Sequence, residues 1–191
     1  MSDLVTIAEL KAQGLWTTRY ISASGLIPYV KNLHGNVRGV EIGACRGENA
    51  SRFLEECPNI QHLDVIDPYT AYTDVNGTSS QETLDRSKQI CQENLLPFGD
   101  RATLRNTTSL EFCATVPDES FQYIFIDGNH SYEHVRNDIF AWYPKLAPGG
   151  IFAGHDVHLR DVQQAINEFR SISMITVPVK TCDNSVWFWY K

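Results

Sequence analysis

Short apolar runs alternate with longer segments of helical periodicity from residue 37 onward. Glycine, aspartate or asparagine residues bound these runs, which is typical of strands that end in turns. The runs predict strands at 37–43, 62–67, 101–106, 121–127, 150–155, 174–179 and 185–190. The segments between them predict helices at 47–57, 79–96, 108–114, 131–144 and 158–171. Because strands and helices alternate, we expect an α/β fold with a doubly wound, mostly parallel sheet and helices on both faces.

The last two predicted strands are separated only by residues 180–184. This segment is too short for the helical crossover that parallel neighbours need, so the two strands must pair antiparallel. The sheet is therefore expected to be parallel except for one antiparallel hairpin strand at the C-terminal end.

The first 33 residues precede the first core strand. Apolar positions between Leu4 and Leu10, and again between Leu26 and Leu33, predict two helices there. We expect 1–33 to be a helical extension and 34–191 to be the main domain. One possible role of such an extension is to fill an exposed side of the sheet.

Composition narrows the class of protein. A chain of 191 residues with 42% hydrophobic and 20% charged residues is ordinary for one compact domain. The net charge of -7 argues against affinity based on neutralising phosphates, so nucleic acid is not an expected partner. No signal-like or membrane-spanning apolar stretch is evident, and we expect a cytoplasmic protein. The five cysteines form no C-x-x-C pair, which favours reduced, mostly buried thiols.

The stretch from Val37 to Gly47 is an apolar strand that breaks into a glycine-bracketed turn: Val-Arg-Gly-Val-Glu-Ile-Gly-Ala-Cys-Arg-Gly. Such a turn suits a nucleotide-type ligand. Gly43 permits a tight turn, and Gly47, which has no Cβ, would let a ligand approach the N-terminus of the next helix. The spacing does not match the dinucleotide fingerprint, which argues against NAD. No Gly-Lys-Ser/Thr is present, so the triphosphate-binding loop is excluded.

Two more predicted strands end in polar residues at the same sheet edge. Asp67 ends the second strand, where a carboxylate can accept hydrogen bonds from both hydroxyls of a ribose. Its alternative role is to start a turn before Pro68. Thr108 and Ser109 follow the third strand and either border the base of such a ligand or cap the next helix.

Two longer motifs are more specific. Phe121 to Glu133 contains Ile-Asp-Gly-Asn-His-Ser-Tyr-Glu, and Leu146 to Asp156 contains Pro-Gly-Gly-Ile-Phe-Ala-Gly-His-Asp. With the glycine turn and Asp67, they resemble the class I S-adenosylmethionine-dependent methyltransferases, in the small-molecule O-methyltransferase branch related to the macrolide-sugar and catechol enzymes. The resemblance covers about residues 37–156. It implies a Rossmann-like fold and S-adenosylmethionine as the cofactor.

The resemblance also implies where the cofactor lies and what the extension does. The family's cofactor contacts fall here on Glu41, Gly43, Ala44, Gly47, Asn49, Asp67, Thr108, Ser109 and Asp127. The first five would surround the methionine moiety, Asp67 would bind the ribose, and Thr108 and Ser109 would border the adenine. In the family, an N-terminal extension such as 1–33 often covers the cofactor or the substrate.

The metal-dependent branch of the family implies a divalent-cation site. Its ligands fall on Asp127, His155 and Asp156, and the middle position departs from the pattern because it holds an imidazole instead of a carboxylate. Magnesium prefers oxygen ligands, whereas imidazole suits manganese, iron, nickel or zinc. Either the metal is softer than magnesium or His155 is not a ligand. In a further alternative, Asp127 and Asp156 bind the substrate or the loops directly.

His130 and Asp127 are the predicted catalytic residues. Methyl transfer from a sulfonium is an in-line displacement, so the enzyme must align the nucleophile, remove its proton and exclude water. His130 lies three residues after Asp127, where a member of the metal-dependent branch places its catalytic lysine, and an imidazole titrates in the useful range. Alternatively, His130 only contacts the cofactor or caps the helix that begins near Ser131.

The chain is thus predicted to be an S-adenosylmethionine-dependent methyltransferase acting on a hydroxyl of a small-molecule acceptor, with or without magnesium or manganese. Two alternatives stay open: a protein of this fold that binds the cofactor without transferring its methyl group, and a metal-independent methyltransferase acting on nitrogen or a carboxyl group. The acceptor and a homo-oligomeric state are left open, because a fold alone fixes neither.

Overall fold

The computed structural model describes residues 6–13, 23–74, 77–183 and 185–191. The strands are β1 Val37–Ile42, β2 Ile60–Ile66, β3 Tyr72–Asp74, β4 Gly77–Ser79, β5 Ala102–Arg105, β6 Phe121–Ile126, β7 Leu146–Gly154, β8 Lys180–Cys182 and β9 Val186–Tyr190. The helices are α1 Ile7–Ala12, α2 Ile27–Lys31, α3 Glu48–Glu56, α4 Gln81–Leu95, α5 Ser109–Cys113, α6 Tyr132–Trp142 and α7 Arg160–Ile172. Seven strands form one sheet in the order β5-β2-β1-β6-β7-β9-β8, and β3 pairs with β4 in a small separate hairpin.

The sheet confirms the predicted fold class. Strands β5, β2, β1, β6 and β7 run parallel, and β9 runs antiparallel to both β7 and β8. The sequence of β6, Phe-Gln-Tyr-Ile-Phe-Ile, explains its central place, because five of its six residues are buried. Near-continuous apolar runs are typical of parallel strands that have helices on both faces.

Helices cover the two faces of the sheet with separate apolar clusters. On one face, Phe53 of α3 and Cys91 of α4 pack among buried residues of the central strands. On the other face, Trp142 of α6 and Phe169 of α7 do the same. Helix α7 presents an apolar stripe at the spacing of an amphipathic helix, with buried residues Val162, Ala165, Ile166 and Phe169.

The strand predicted at 174–179 is wrong. Helix α7 ends at Ile172, and Met174 follows with a φ of 51° and 85% of its surface exposed. The β-branched residues of this segment favour a strand, but Pro178 has no N–H to donate to a ladder. The strand that pairs with β9 is instead β8, inside the segment predicted to be only a connection. The prediction that the last two strands pair antiparallel is confirmed.

The described parts of the N-terminal segment pack on the α3–α4 side. Helix α1 begins with a capping box formed by Thr6 and Glu9, and the backbone N–H of Ile7 donates to Asn94 Oδ1 at 2.7 Å. Val30 of α2 is fully buried in the core cluster. The division at residue 33 stays a prediction, and its residues 1–5 and 14–22, including Leu4, lie outside the described residues.

Two expectations from composition can be compared with the structure. No helix among the described residues is both long and apolar enough to cross a membrane. All five cysteines are free thiols, and Cys57, Cys91 and Cys113 are buried.

The carboxyl end of β1 touches the neighbouring strand ends through backbone atoms. Gly43 has a φ of 92°, and a Cβ at this position would lie 2.1 Å from the carbonyl oxygen of Asp127. The N–H of Asp127 donates to the carbonyl of Ile42 at 2.8 Å, and the N–H of Gly43 donates to the carbonyl of Ile66 at 2.9 Å. Only glycine therefore fits where β1, β2 and β6 end together.

We expect Gly43→Ala to lower the free energy of unfolding by about 3 kcal/mol, from left-handed strain together with a clash against backbone that cannot rotate away. Gly149→Ala is the matched control, because Gly149 also has a positive φ, 79°, but nothing lies within 4 Å of a Cβ there. That control should lose only about 1 kcal/mol in urea denaturation. Equal losses in the two variants would contradict the clash.

Candidate active site

A cleft of about 1340 Å³ opens at the carboxyl ends of β1, β2, β6 and β7. Ligands of doubly wound sheets bind at this edge. Apart from Gly47, the predicted site residues all line the cleft: Glu41, Gly43, Ala44, Asn49, Asp67, Thr108, Ser109, Asp127, His130, His155 and Asp156.

Gly47 has a structural reason to be glycine in addition to the predicted approach of a ligand, which stays a prediction. It precedes α3 with a φ of 72°, and a Cβ there would lie 2.9 Å from the Sγ of Cys91 on α4. The position therefore faces the packing between α3 and α4, and the glycine permits both the left-handed turn and that close packing.

Glu41 is a buried carboxyl at the floor of the cleft. It is 2% exposed and accepts a hydrogen bond from Asn49 Nδ2 at 3.2 Å. Burial, followed by the nearby charge of Asp127, raises the pKa of Glu41 well above its usual value. Asn49 is fixed in turn, because its Oδ1 accepts the backbone N–H of Ala23 at 3.2 Å. The N-terminal segment thus helps to hold the cleft floor.

Asp67 follows β2 and organises the adjoining loop. Its two carboxylate oxygens accept the backbone N–H groups of Cys45 at 3.1 Å and of Tyr69 at 2.8 Å. The second contact is the local turn that the sequence offered as an alternative, and it coexists with a place in the cleft lining. Burial raises the pKa of Asp67 despite these hydrogen bonds.

Thr108 and Ser109 both line the cleft, and both already have partners. Thr108 is the N-cap of α5 in a capping box with Glu111, so the capping alternative is observed. The Ser109 hydroxyl contacts Asp138 Oδ1 at 2.5 Å and accepts a hydrogen bond from Trp142 Nε1 at 2.6 Å.

Asp127, His130, His155 and Asp156 form a cluster where β6 and β7 end. The Nε2 of His130 lies 2.7 Å from Asp156 Oδ2 and 3.7 Å from Asp127 Oδ1. The Nδ1 of His155 lies 3.2 Å and 3.7 Å from the same two oxygens. Ligand atoms of Asp127, His130 and Asp156 all fall within 4.8 Å of one another, which is compatible with one metal ion. His130 thus joins a cluster in which the sequence predicted only His155 as an imidazole ligand.

Opposite charges set the protonation of this cluster. Burial favours the neutral form of Asp156, but the hydrogen bonds from His130 and His155 hold the pKa of Asp156 well below its usual value. Burial lowers the pKa of His155, yet Asp156 and Asp127 outweigh burial and leave that pKa raised. Burial is the main reason that the pKa of Asp127 is raised, and the hydrogen bond from His130 opposes it.

Residues from the N-terminal segment and from the last hairpin contribute to another wall of the cleft. Ser24 and Asp183 line it, and Asp183 lies in the turn between β8 and β9 with a φ of 51°. The Asp183 carboxylate accepts the backbone N–H of Gly25 and, at 3.4 Å, the hydroxyl of Ser24.

Asp138 is a cleft residue that was not predicted. It lies on α6 with His134 and Asn137, which also line the cleft. Their i, i+3, i+4 spacing places them on one helix face, and this was the available sequence signal. Burial raises the pKa of Asp138 from 3.8 to about 6, and the Ser109 hydrogen bond only partly opposes the shift.

The sheet order, the glycine turn after β1, and the carboxylates of Glu41 in β1 and Asp67 after β2 have the arrangement expected from the resemblance to class I S-adenosylmethionine-dependent methyltransferases. A family model described as "Methyltransferase domain" matches residues 40–157, which is more than half of the chain. The protein belongs to this family of methyltransferase domains. A comparison with curated protein sequences finds no match.

Solved structures show the same fold at low sequence identity. The O-methyltransferase NovP matches with a TM-score of 0.67 and 17% identity over 86% of this chain and 78% of NovP. Precorrin-6y C5,15-methyltransferase from Geobacter metallireducens matches with a TM-score of 0.62 and 17% identity over 100% of this chain and 93% of that one. An SAH-bound methyltransferase from Podospora anserina matches with a TM-score of 0.62 and 17% identity, covering 88% of this chain and 77% of its own.

Asp138 should make the free energy of unfolding of the protein without ligand depend on pH. Because its folded pKa of about 6 exceeds the unfolded value, its contribution to stability is fully present below about pH 4 and is lost as the pH rises through 6. Two pKa units correspond to about 3 kcal/mol at most. We expect the stability of Asp138→Asn relative to the unmodified protein to increase by about 2 kcal/mol between pH 4 and pH 7 in urea denaturation. A pH-independent difference would contradict this.

Proposed function

We propose that the protein transfers the methyl group of S-adenosylmethionine to a hydroxyl oxygen of a small molecule, with a divalent metal ion held by Asp127, His155 and Asp156. The observation that carries this proposal is that one cleft joins the glycine turn of β1 to a cluster of two carboxylates and two imidazoles. A hydroxyl needs a base or a metal to become a nucleophile, and this cluster offers both.

The order of the strands indicates which residues would contact each part of the cofactor. When bound, S-adenosylmethionine supplies its methyl group on a cationic sulfonium. Glu41, Gly43, Ala44 and Asn49 would enclose its methionine end. A carboxylate offers about four lone-pair sites. Asp67 would therefore keep acceptor capacity for the ribose hydroxyls beside the backbone N–H groups of Cys45 and Tyr69 that it already accepts. Thr108 and Ser109 border the space left for the base.

The donor set of the cluster fits a divalent cation. Two carboxylates provide the negative charge, and the imidazole of His155 favours manganese over magnesium. The carboxylates of Asp127 and Asp156 both lie within 4 Å of ring nitrogens that can carry positive charge. When bound, the metal would act as a Lewis acid that lowers the pKa of the acceptor hydroxyl.

His130 is proposed to take the acceptor's proton. The acceptor oxygen would form the new C–O bond as the C–S bond of the sulfonium breaks, and the hydroxyl proton would pass to the ring nitrogen of His130 that does not donate to Asp156. Asp156, 2.7 Å from Nε2, accepts the hydrogen bond of the other nitrogen and would stabilise the imidazolium that results. Because Nε2 of His130 is engaged by Asp156 and its other nitrogen is needed for the proton, the proposal assigns the imidazole ligand to His155.

The cofactor assignment can be tested at Asp67. We expect Asp67→Asn to weaken binding of S-adenosylhomocysteine about tenfold in calorimetry, because an amide offers one acceptor oxygen where a charged carboxylate offers two. Glu93→Gln, on the exposed surface of α4, is the control and should bind as the unmodified protein does. Unchanged affinity in Asp67→Asn would place the ribose elsewhere. No binding to the unmodified protein would refute the cofactor assignment.

The roles of the two imidazoles can be separated with manganese. Calorimetry on metal-stripped protein should show one Mn²⁺ site that is lost in Asp156→Ala, weakened in His155→Gln and retained in His130→Gln. With a hydroxyl acceptor found by screening for S-adenosylhomocysteine release, kcat of His130→Gln should fall about 100-fold.

Three results would contradict parts of this assignment. Loss of Mn²⁺ binding in His130→Gln would make His130 the ligand. Turnover that survives both a chelator and His130→Gln would favour the metal-independent enzyme acting on nitrogen or a carboxyl group. Cofactor binding without methyl transfer to any hydroxyl in the screen would favour a binding protein of the same fold.

A further inference from the structure

Trp142, Ser109 and Asp138 form a hydrogen-bonded chain whose direction is fixed by chemistry. The indole N–H of Trp142 can only donate, so the Ser109 hydroxyl must accept from it. The single proton of that hydroxyl is then free to point to Asp138 Oδ1, 2.5 Å away. Ser109, predicted to border the adenine, has therefore committed its one donor to Asp138. These two hydrogen bonds fix Asp138 Oδ1 as an acceptor.

The other oxygen of Asp138 is the one left for a ligand. Asp138 is 7% exposed and lines the cleft, and the only hydrogen bond recorded for its carboxylate among the described residues comes from Ser109. No arginine or lysine pairs with it in that part of the chain. A buried carboxylate with one partner is costly, and its raised pKa reflects that cost. A ligand N–H facing Oδ2 would offset it.

The strand order indicates which part of the cofactor reaches Asp138. Asp67 follows β2, whose neighbour on the outer side is β5, and α5 begins shortly after β5. The cluster of Asp127 lies on the opposite side, beyond β1. If Asp67 binds the ribose and the methyl group points to the cluster, the base must extend toward α5 and α6. Leu110 of α5 and Asn137 of α6 line that part of the cleft with Asp138.

We propose that Asp138 recognises the exocyclic amino group of the cofactor's adenine, with Trp142 and Ser109 holding its carboxylate in place. The inference rests on the proposed cofactor position. In this proposal Asp138 determines specificity for the base. If Asp138 only linked α5 to α6, it would not affect which base binds. An Asn at this position could keep the Ser109 contact through its carbonyl oxygen, and its NH₂ group would then face the cleft as a donor.

The test compares two ligands and two side chains by calorimetry at pH 7.5. The ligands are S-adenosylhomocysteine and its desamino analogue, in which hydrogen replaces the exocyclic amine of the purine. The unmodified protein should bind the amino form about 10- to 100-fold more tightly, as expected for a hydrogen bond to a charged group. In Asp138→Asn this preference should disappear, because the amide presents a donor to the amine.

Asp118→Asn is the control for the loss of one charge. Asp118 is an exposed carboxylate paired with Lys145 and is not among the residues that line the cleft, so this variant should keep the full preference. Urea denaturation of Asp138→Asn confirms that the variant is folded before its binding is measured.

The remaining outcomes would overturn the inference or its basis. Equal binding of the two ligands by the unmodified protein would show that no group recognises the amine. A preference that persists in Asp138→Asn would show that another group does so and that Asp138 is structural. Failure of the unmodified protein to bind either ligand would instead refute the proposed function.

Discussion

The contact between Gly43 and the backbone of Asp127 is the constraint on which the site depends. The carbonyl oxygen of Asp127 occupies the space where any other residue at position 43 would place its Cβ. Because β1 and β6 are adjacent, this contact sets the glycine turn after β1 directly beside the end of β6, where Asp127 begins the carboxylate–imidazole cluster. The same backbone that shapes one half of the cleft therefore positions the other half. In the proposed reaction, a shift of either strand end would separate the methyl donor from the base.

The cleft concentrates carboxyl groups whose ionisation is opposed by burial. The pKa values of Glu41, Glu48, Asp67, Asp127 and Asp138 are all raised, with burial as the largest cause in each case. Burying ionised carboxylates costs free energy. Ligands that bring positive charge or N–H and O–H donors offset that cost. A sulfonium cofactor, its ribose and amino groups, and a divalent metal all have this character. The electrostatics of the cleft therefore match the ligands that the proposed function requires.

Periodic apolar runs and turn residues were sufficient to predict a mostly parallel sheet covered by helices, and the resemblance to a methyltransferase family pointed to residues at its carboxyl edge that line the cleft. Strands such as β6 are buried on both faces, so their sequences leave little choice of structure. The segment at 174–179 was mispredicted because β-branched residues favour a strand wherever they occur, whereas tertiary packing left Met174 and Val177 exposed. Asp138 was not selected because its importance comes from Ser109 and Trp142, and the contact with Ser109 spans 29 positions of the chain. Contacts of that kind do not appear in local patterns.

The hydrogen bonds from Gly25 and Ser24 to Asp183 join a segment near the start of the chain to the turn of the last hairpin, 158 positions away. Gly25 must remain glycine while Asp183 keeps this position, because a Cβ there would lie 2.7 Å from the carboxylate. These two pieces of the cleft wall therefore depend on each other and would have to be replaced together. In chimaeras between homologous methyltransferases, a graft of the leading segment without the final hairpin would leave a carboxylate without its donors. Stable packing of this wall in such chimaeras should require that both pieces move together.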